Sequence, residues 1–125
     1  MAIERDLMIE QGETLSIDLR WVTKATNTPV DLTGCEFVLQ ARAEKASTSP
    51  ILLNMTTTGG QIPITDALDG KFKLFLTDEE TYALALPAEP TNKRAWYELV
   101  CEFPNGEKRK IWKGQVVFYK ATVYP

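Results

Sequence analysis

The chain contains no histidine. That absence removes imidazole as a general acid or base, removes Ser-His and Cys-His nucleophile pairs, and removes the commonest transition-metal ligand. Cysteine is scarce as well. Cys35 and Cys101 are the 2 cysteines in 125 residues; they form no CxxC pair, and two thiols without histidine cannot close a four-ligand zinc site. A basic excess is also lacking: 14 Lys and Arg stand against 17 Asp and Glu, net −3, which argues against non-specific nucleic-acid binding. No apolar run reaches the roughly 18 residues of a membrane-spanning helix. The opening Met-Ala-Ile-Glu-Arg-Asp has no basic segment followed by an apolar core, so neither membrane insertion nor secretion is expected. The expectation is a chain made in a reducing compartment, with no catalytic residues, no cofactor and no metal.

What is present is an alternating apolar pattern in a chain 44% hydrophobic and 25% charged, enough for one domain over 1–125. Leu15, Ile17, Leu19 and Trp21 share one strand face; Cys35, Phe37, Leu39 and Ala41 share a second; Phe72, Leu74 and Leu76 a third; Tyr97, Leu99, Cys101 and Phe103 a fourth. Polar turn clusters separate them at 25–29, 31–34, 46–50, 56–60 and Asp69-Gly70. Pro63 marks 61–65 as an edge piece. Thr77-Asp78-Glu79-Glu80 reads as a capping box, and Pro87 and Pro90 limit the helix that follows. The pattern predicts an all-β fold: an antiparallel, immunoglobulin-like β-sandwich of about seven to nine strands, with one short helix near 78–84. The expected core is Leu15, Ile17, Leu19, Phe37, Leu39, Phe72, Leu74, Leu99 and Phe118.

Asn105-Gly106 is a hairpin signal. A two-residue loop there pairs Glu98 with Lys113, Leu99 with Trp112 and Glu102 with Arg109. It also sets Lys110 against Cys101 on the inner face, so a one-residue bulge is an alternative. Gly114 suggests a further bulge.

Few residues suggest chemistry. Asp78, Glu79 and Glu80 suit a helix start. Glu98 and Glu102 would suit a carboxylate pair acting on a sugar, but pairing with the basic residues opposite is the simpler reading. Asp66 and Asp69 lack the dense oxygen pattern of a calcium loop, and Gly59-Gly60 lacks a phosphate-loop frame. Lys108, Arg109, Lys110 and Lys113 read as a solvated, salt-bridged face rather than a nucleic-acid surface. Cys35 and Cys101 fall on inward faces and read as two buried thiols that do not touch, the alternative being an inter-sheet pair.

Apolar residues on outward faces carry more information. Val38, Phe75, Trp96 and Val100 lie where alternation assigns solvent, and Tyr119 and Tyr124 stud the last segment. These six are the expected interface residues. The ends, 1–10 and 119–125, read either as arms that add a strand to a neighbour or as the domain's own edge strands.

Several phrases resemble a family of small tailed-bacteriophage virion proteins, similar to the N-terminal domain of upper baseplate proteins and to tail or fibre-associated proteins. They are Ile9-Glu10-Gln11-Gly12-Glu13-Thr14, Pro29-Val30-Asp31-Leu32-Thr33-Gly34, Asp69-Gly70-Lys71-Phe72, Leu76-Thr77 to Leu86-Pro87, Tyr97-Glu98-Leu99 and Lys113-Gly114-Gln115-Val116. The likeness spans about residues 7 to 118; the 88–94 loop and the aromatic tail depart from it. It implies a non-enzymatic structural component of a virion, in tail, baseplate or fibre attachment, whose partners are other virion proteins and copies of itself. A capsid decoration or cement protein is the near alternative. A carbohydrate-binding module, using Trp96 with Tyr82, Tyr119 or Tyr124, is a second class, and a carboxylate enzyme a third.

Overall fold

The computed structural model describes residues 3–84 and 93–122. Its elements run β1 Ile3–Glu4, β2 Leu7–Glu10, β3 Leu15–Arg20, β4 Glu36–Arg42, β5 Ile51–Thr56, β6 Ile64–Asp66, β7 Lys71–Leu76, α1 Asp78–Tyr82, β8 Lys93–Glu102 and β9 Lys108–Tyr119. The larger sheet has the order β1-β9-β8-β4-β5, with β2 continuing β1 along the edge of β9; the smaller sheet is β3-β7-β6. The chain is an all-β, immunoglobulin-like sandwich.

Alternation puts Phe37, Leu39 and Ala41 of β4, Tyr97, Leu99 and Cys101 of β8, and Phe72, Leu74 and Leu76 of β7 into one buried layer. Phe37 stacks on Phe72 between the sheets, ring centres 4.2 Å apart. Burying each such side chain stabilises the fold by about 1.5–3 kcal/mol. Leu15, Ile17 and Leu19 pack against this core but stay partly exposed, because β3 is an edge of the smaller sheet. That is less burial than alternation alone suggests.

Residues 3–10 are edge strands of this domain. They run parallel to β9, with Ile3 opposite Trp112, Leu7 opposite Val116 and Ile9 opposite Phe118. Leu7 and Ile9 are buried, whereas Met8 between them is 67% exposed. Between β1 and β2 the chain approaches β9 closely. Arg5 N–H donates to Lys113 O at 2.9 Å, Gln115 N–H donates to Asp6 Oδ1 at 3.1 Å, and the Tyr97 hydroxyl donates to Arg5 O. A Cβ at Gly114 would stand 2.5 Å from Arg5 O. Gly114 lies in register with Tyr97, so it marks this close approach and not the bulge expected there.

The β8–β9 hairpin keeps Glu98 opposite Lys113 and Leu99 opposite Trp112, then shifts register. Beyond the shift Val100 faces Lys110, Cys101 faces Arg109 and Glu102 faces Lys108. Hydrogen bonds from Phe103 N–H to Glu107 O and from Gly106 N–H to Phe103 O frame a longer turn than the two-residue loop predicted. The bulge moves Lys110 opposite the outward Val100 and sets Arg109, which stays exposed, opposite Cys101. The expected Glu102–Arg109 and Glu98–Lys113 ion pairs are replaced by Glu102–Lys108 at 3.7 Å and Glu98–Lys110 at 3.0 Å. Arg109 pairs with Glu107 instead.

Thr77 caps α1 with the predicted capping box: Glu80 N–H donates to Thr77 Oγ1 at 3.1 Å, and Thr77 N–H to Glu80 Oε1 at 2.9 Å. Pro87 and Pro90 lie outside the described residues.

Cys35 and Cys101 are free, buried thiols. Contrary to expectation they lie near one another, close enough for each thiol to influence the other's ionisation. Register explains it: Phe37 faces Cys101, and Cys35 precedes Phe37 by two residues on the same inward face.

Candidate functional site

The outer face of the larger sheet carries the most developed surface. Cross-strand register arranges its side chains in rows. Val38 of β4 faces Val100 of β8, Arg42 faces Trp96, Trp96 faces Gln115 of β9, and Glu98 faces both Gln40 and Lys113. Next to these rows Met8 faces Val117, and Glu10 faces Tyr119.

Three of the predicted interface residues, Val38, Trp96 and Val100, therefore come together, all half-buried, on the floor of one groove of about 560 Å³. That volume lies within the range of small-ligand sites. One wall is the 44–47 segment; the other is the β1–β2 junction, with Glu4 and Asp6. Hydrogen bonds hold the first wall in place. Arg42 donates to Ser49 O at 2.6 Å and to Gln40 Oε1 at 3.0 Å, and Glu44 N–H donates to the buried Ser49 hydroxyl at 2.8 Å.

The other predicted residues lie elsewhere. Tyr119 sits at the end of β9 beside Met8, its hydroxyl 3.9 Å from the Met8 sulfur. Met8, Val117 and Tyr119 form a separate apolar patch, at one end of the same face. Phe75 faces Ser16 on the smaller sheet and belongs to neither. Tyr124 lies outside the described residues. Tyr82 is exposed on α1, so the aromatic platform of Trp96 with Tyr82 or Tyr119 does not form.

The carboxylates considered for chemistry have structural uses. Asp69 pairs with Arg20 at 2.7 Å and Lys71 at 3.2 Å, which holds its carboxyl below the usual range, and Asp66 accepts from Asp69 N–H. Two cations already neutralise Asp69. Glu98 and Glu102 pair with lysines on an open sheet. Among the described residues no three His, Cys, Asp or Glu side chains converge on a metal position.

Strand parity alone identifies Gln40, Arg42 and Glu98 as companions of Trp96. Nothing local in the sequence identifies Glu4 and Asp6, because their place depends on a parallel pairing between the two ends of the chain.

No family model matches the chain, and no curated protein matches it. Solved structures are similar to it, three of them as follows. One is the N-terminal domain of phage TP901-1 ORF48, at 10% identity and a TM-score of 0.41, covering 93% of this chain and 84% of that one. A second comes from a study of multimeric cell-adhesive interactions of VGSC beta subunits, at 9% identity and a TM-score of 0.43, covering 96% and 93%. The third is murine CRIg, at 10% identity and a TM-score of 0.38, covering 94% and 92%. These likenesses assign neither a family nor a function.

Proposed function

We propose that the chain is a non-enzymatic structural component of a phage virion, in the tail, baseplate or fibre-attachment region, working through protein–protein contacts. The observation that carries this reading is the patch of Met8, Val117 and Tyr119. It combines a methionine 67% exposed with two half-buried apolar side chains, on strands whose alternate residues are locked into the core. A rigid strand pair that presents apolar side chains outward suits burial against a second chain. The sequence phrases that resemble those of small virion proteins support the same reading. Partners are other virion proteins and further copies of this chain.

Light scattering after size exclusion, over a concentration series, tests the patch. The expected result is a species heavier than the 14.1 kDa chain that reverts to single-chain mass in Met8→Glu. A single-chain mass at every concentration would remove self-association as the use of this surface.

A further inference from the structure

We infer that the groove over Trp96 is a binding site for a neutral saccharide. This goes beyond assembly through the Met8 patch and uses different residues.

The first ground is the set of groups the fold leaves open. Several charges on this face are satisfied: Glu98 by Lys110 and Arg42 by Ser49 O and Gln40 at the groove, and Glu102 by Lys108 beyond it. Other groups in the groove are left open. Lys113 lies opposite both Glu4 and Glu98, yet its ammonium makes no ion pair among the described residues. Glu4 has no partner there either. Gln115 spends its amide oxygen on Arg94 at 3.0 Å, and its amide NH₂ makes no hydrogen bond among the described residues. The Trp96 indole N–H likewise makes none, and it is not sealed from solvent. Donors and acceptors are thus both open around one indole ring.

The second ground is the balance of charge. Glu4, Asp6, Glu44 and Glu98 line the groove together with Arg42, Lys45 and Lys113. An anion entering meets the carboxylates, and a cation meets the lysines and Arg42. A ligand of either sign gains little. A hydroxyl donates and accepts, so a polyol satisfies both sets at once. A pyranose also presents a face of C–H groups that packs on an indole, while its rim of hydroxyls reaches the walls.

The third ground is position. The groove lies over the centre of a sheet, where main-chain groups are already used in the ladders. A peptide that binds by strand addition needs an open sheet edge. Only side chains are on offer here, which suits a ring ligand better than a peptide backbone.

The test is titration of the full chain with a panel of neutral mono- and disaccharides, including glucose, galactose, rhamnose and N-acetylglucosamine, followed by saturation-transfer NMR. The expected result is saturable binding of at least one sugar at millimolar concentration or below, weakened about tenfold or more in Trp96→Ala. Lys113→Ala, an exposed position, weakens it too and covers the case in which Trp96→Ala does not fold. Phe75→Ala on the other sheet and Met8→Glu at the assembly patch leave binding unchanged. No saturable binding by any neutral sugar overturns the inference. So does binding that persists undiminished in Trp96→Ala and Lys113→Ala, or a groove that takes only a peptide. The mass of Met8→Glu is read separately, so loss of sugar binding and loss of assembly are distinguishable.

Discussion

The hydroxyl of Tyr97, on β8, donates to the main-chain carbonyl of Arg5, at the break between β1 and β2. One side chain thus reaches past β9 at Gly114 to hold the N-terminal edge strand, and with it the Glu4–Asp6 wall of the groove. Arg5 adds to the clasp by placing its guanidinium 4.5 Å from the centre of the Trp112 ring. Tyr97→Phe keeps the ring in the core and leaves the Arg5 carbonyl without this donor. The expected loss is about 1 kcal/mol, read by thermal or denaturant unfolding. Amide exchange should quicken from Arg5 to Glu10 and stay unchanged in β4.

Gly114→Ala should damage the same clasp from the opposite side. The added methyl would stand 2.5 Å from Arg5 O and 3.1 Å from Asp6 Oδ1, so the edge strand must move outward. Overpacking of this kind costs about 1–3 kcal/mol. Chemical denaturation measures the loss, and NMR shifts should change most at residues 3–7.

Alkaline pH should weaken the fold through three groups, Tyr97, Cys101 and Cys35. Burial pushes the Tyr97 phenol from 10.0 up to about 12, and burial beside Cys35 pushes the Cys101 thiol from 9.0 up to about 12. Burial raises the Cys35 thiol as well. In each case the folded state holds the proton more tightly than the unfolded chain. The stabilisation is therefore complete below the unfolded pKa and lost as pH rises toward the folded one. Unfolding free energy should fall between about pH 9 and pH 12. In the Cys35→Ala/Cys101→Ala double variant the fall should begin nearer pH 10, where the tyrosine contribution alone remains. Both native thiols should resist a thiol reagent until the chain is unfolded.

Thr81 is a fully buried hydroxyl that joins the helix to the crossing between sheets. It accepts from Gly12 N–H at 3.0 Å and lies 3.0 Å from both Glu13 O and Asp78 O. Thr81→Val preserves shape and leaves these main-chain groups without their partner. The expected loss is about 1–3 kcal/mol, visible as a lowered unfolding midpoint. Thr77→Ala, which removes the helix cap, should cost about 1 kcal/mol.

Legibility in the sequence followed the range of each interaction. Phe37, Leu39, Leu74 and Leu99 were readable because period-two alternation is local and the positions are central. Leu15, Ile17 and Leu19 are legible as core-facing, but not how deeply they sit, because alternation does not say which strand will be an edge. The capping box was readable because its two bonds close within four residues. The β8–β9 register is readable as far as Leu99 and then lost, because the turn at 103–107 is longer than Asn105-Gly106 alone implies and the pairing shifts to accommodate it. The meeting of Cys35 with Cys101 and the wall at Glu4 and Asp6 depend on strands distant in sequence. Val38, Trp96 and Val100 were found as outward apolar residues, but their convergence into one groove, apart from Phe75 and Tyr119, needed the sheet order.

The most direct measurement of the central claim is fractionation of density-gradient-purified phage particles, with a photo-crosslinking residue in place of Met8. The account predicts that the chain travels with the particles in fixed ratio to other tail proteins, and that Met8 crosslinks to a second chain. A chain left wholly in the soluble fraction of the lysate, with no crosslink from Met8, would contradict it.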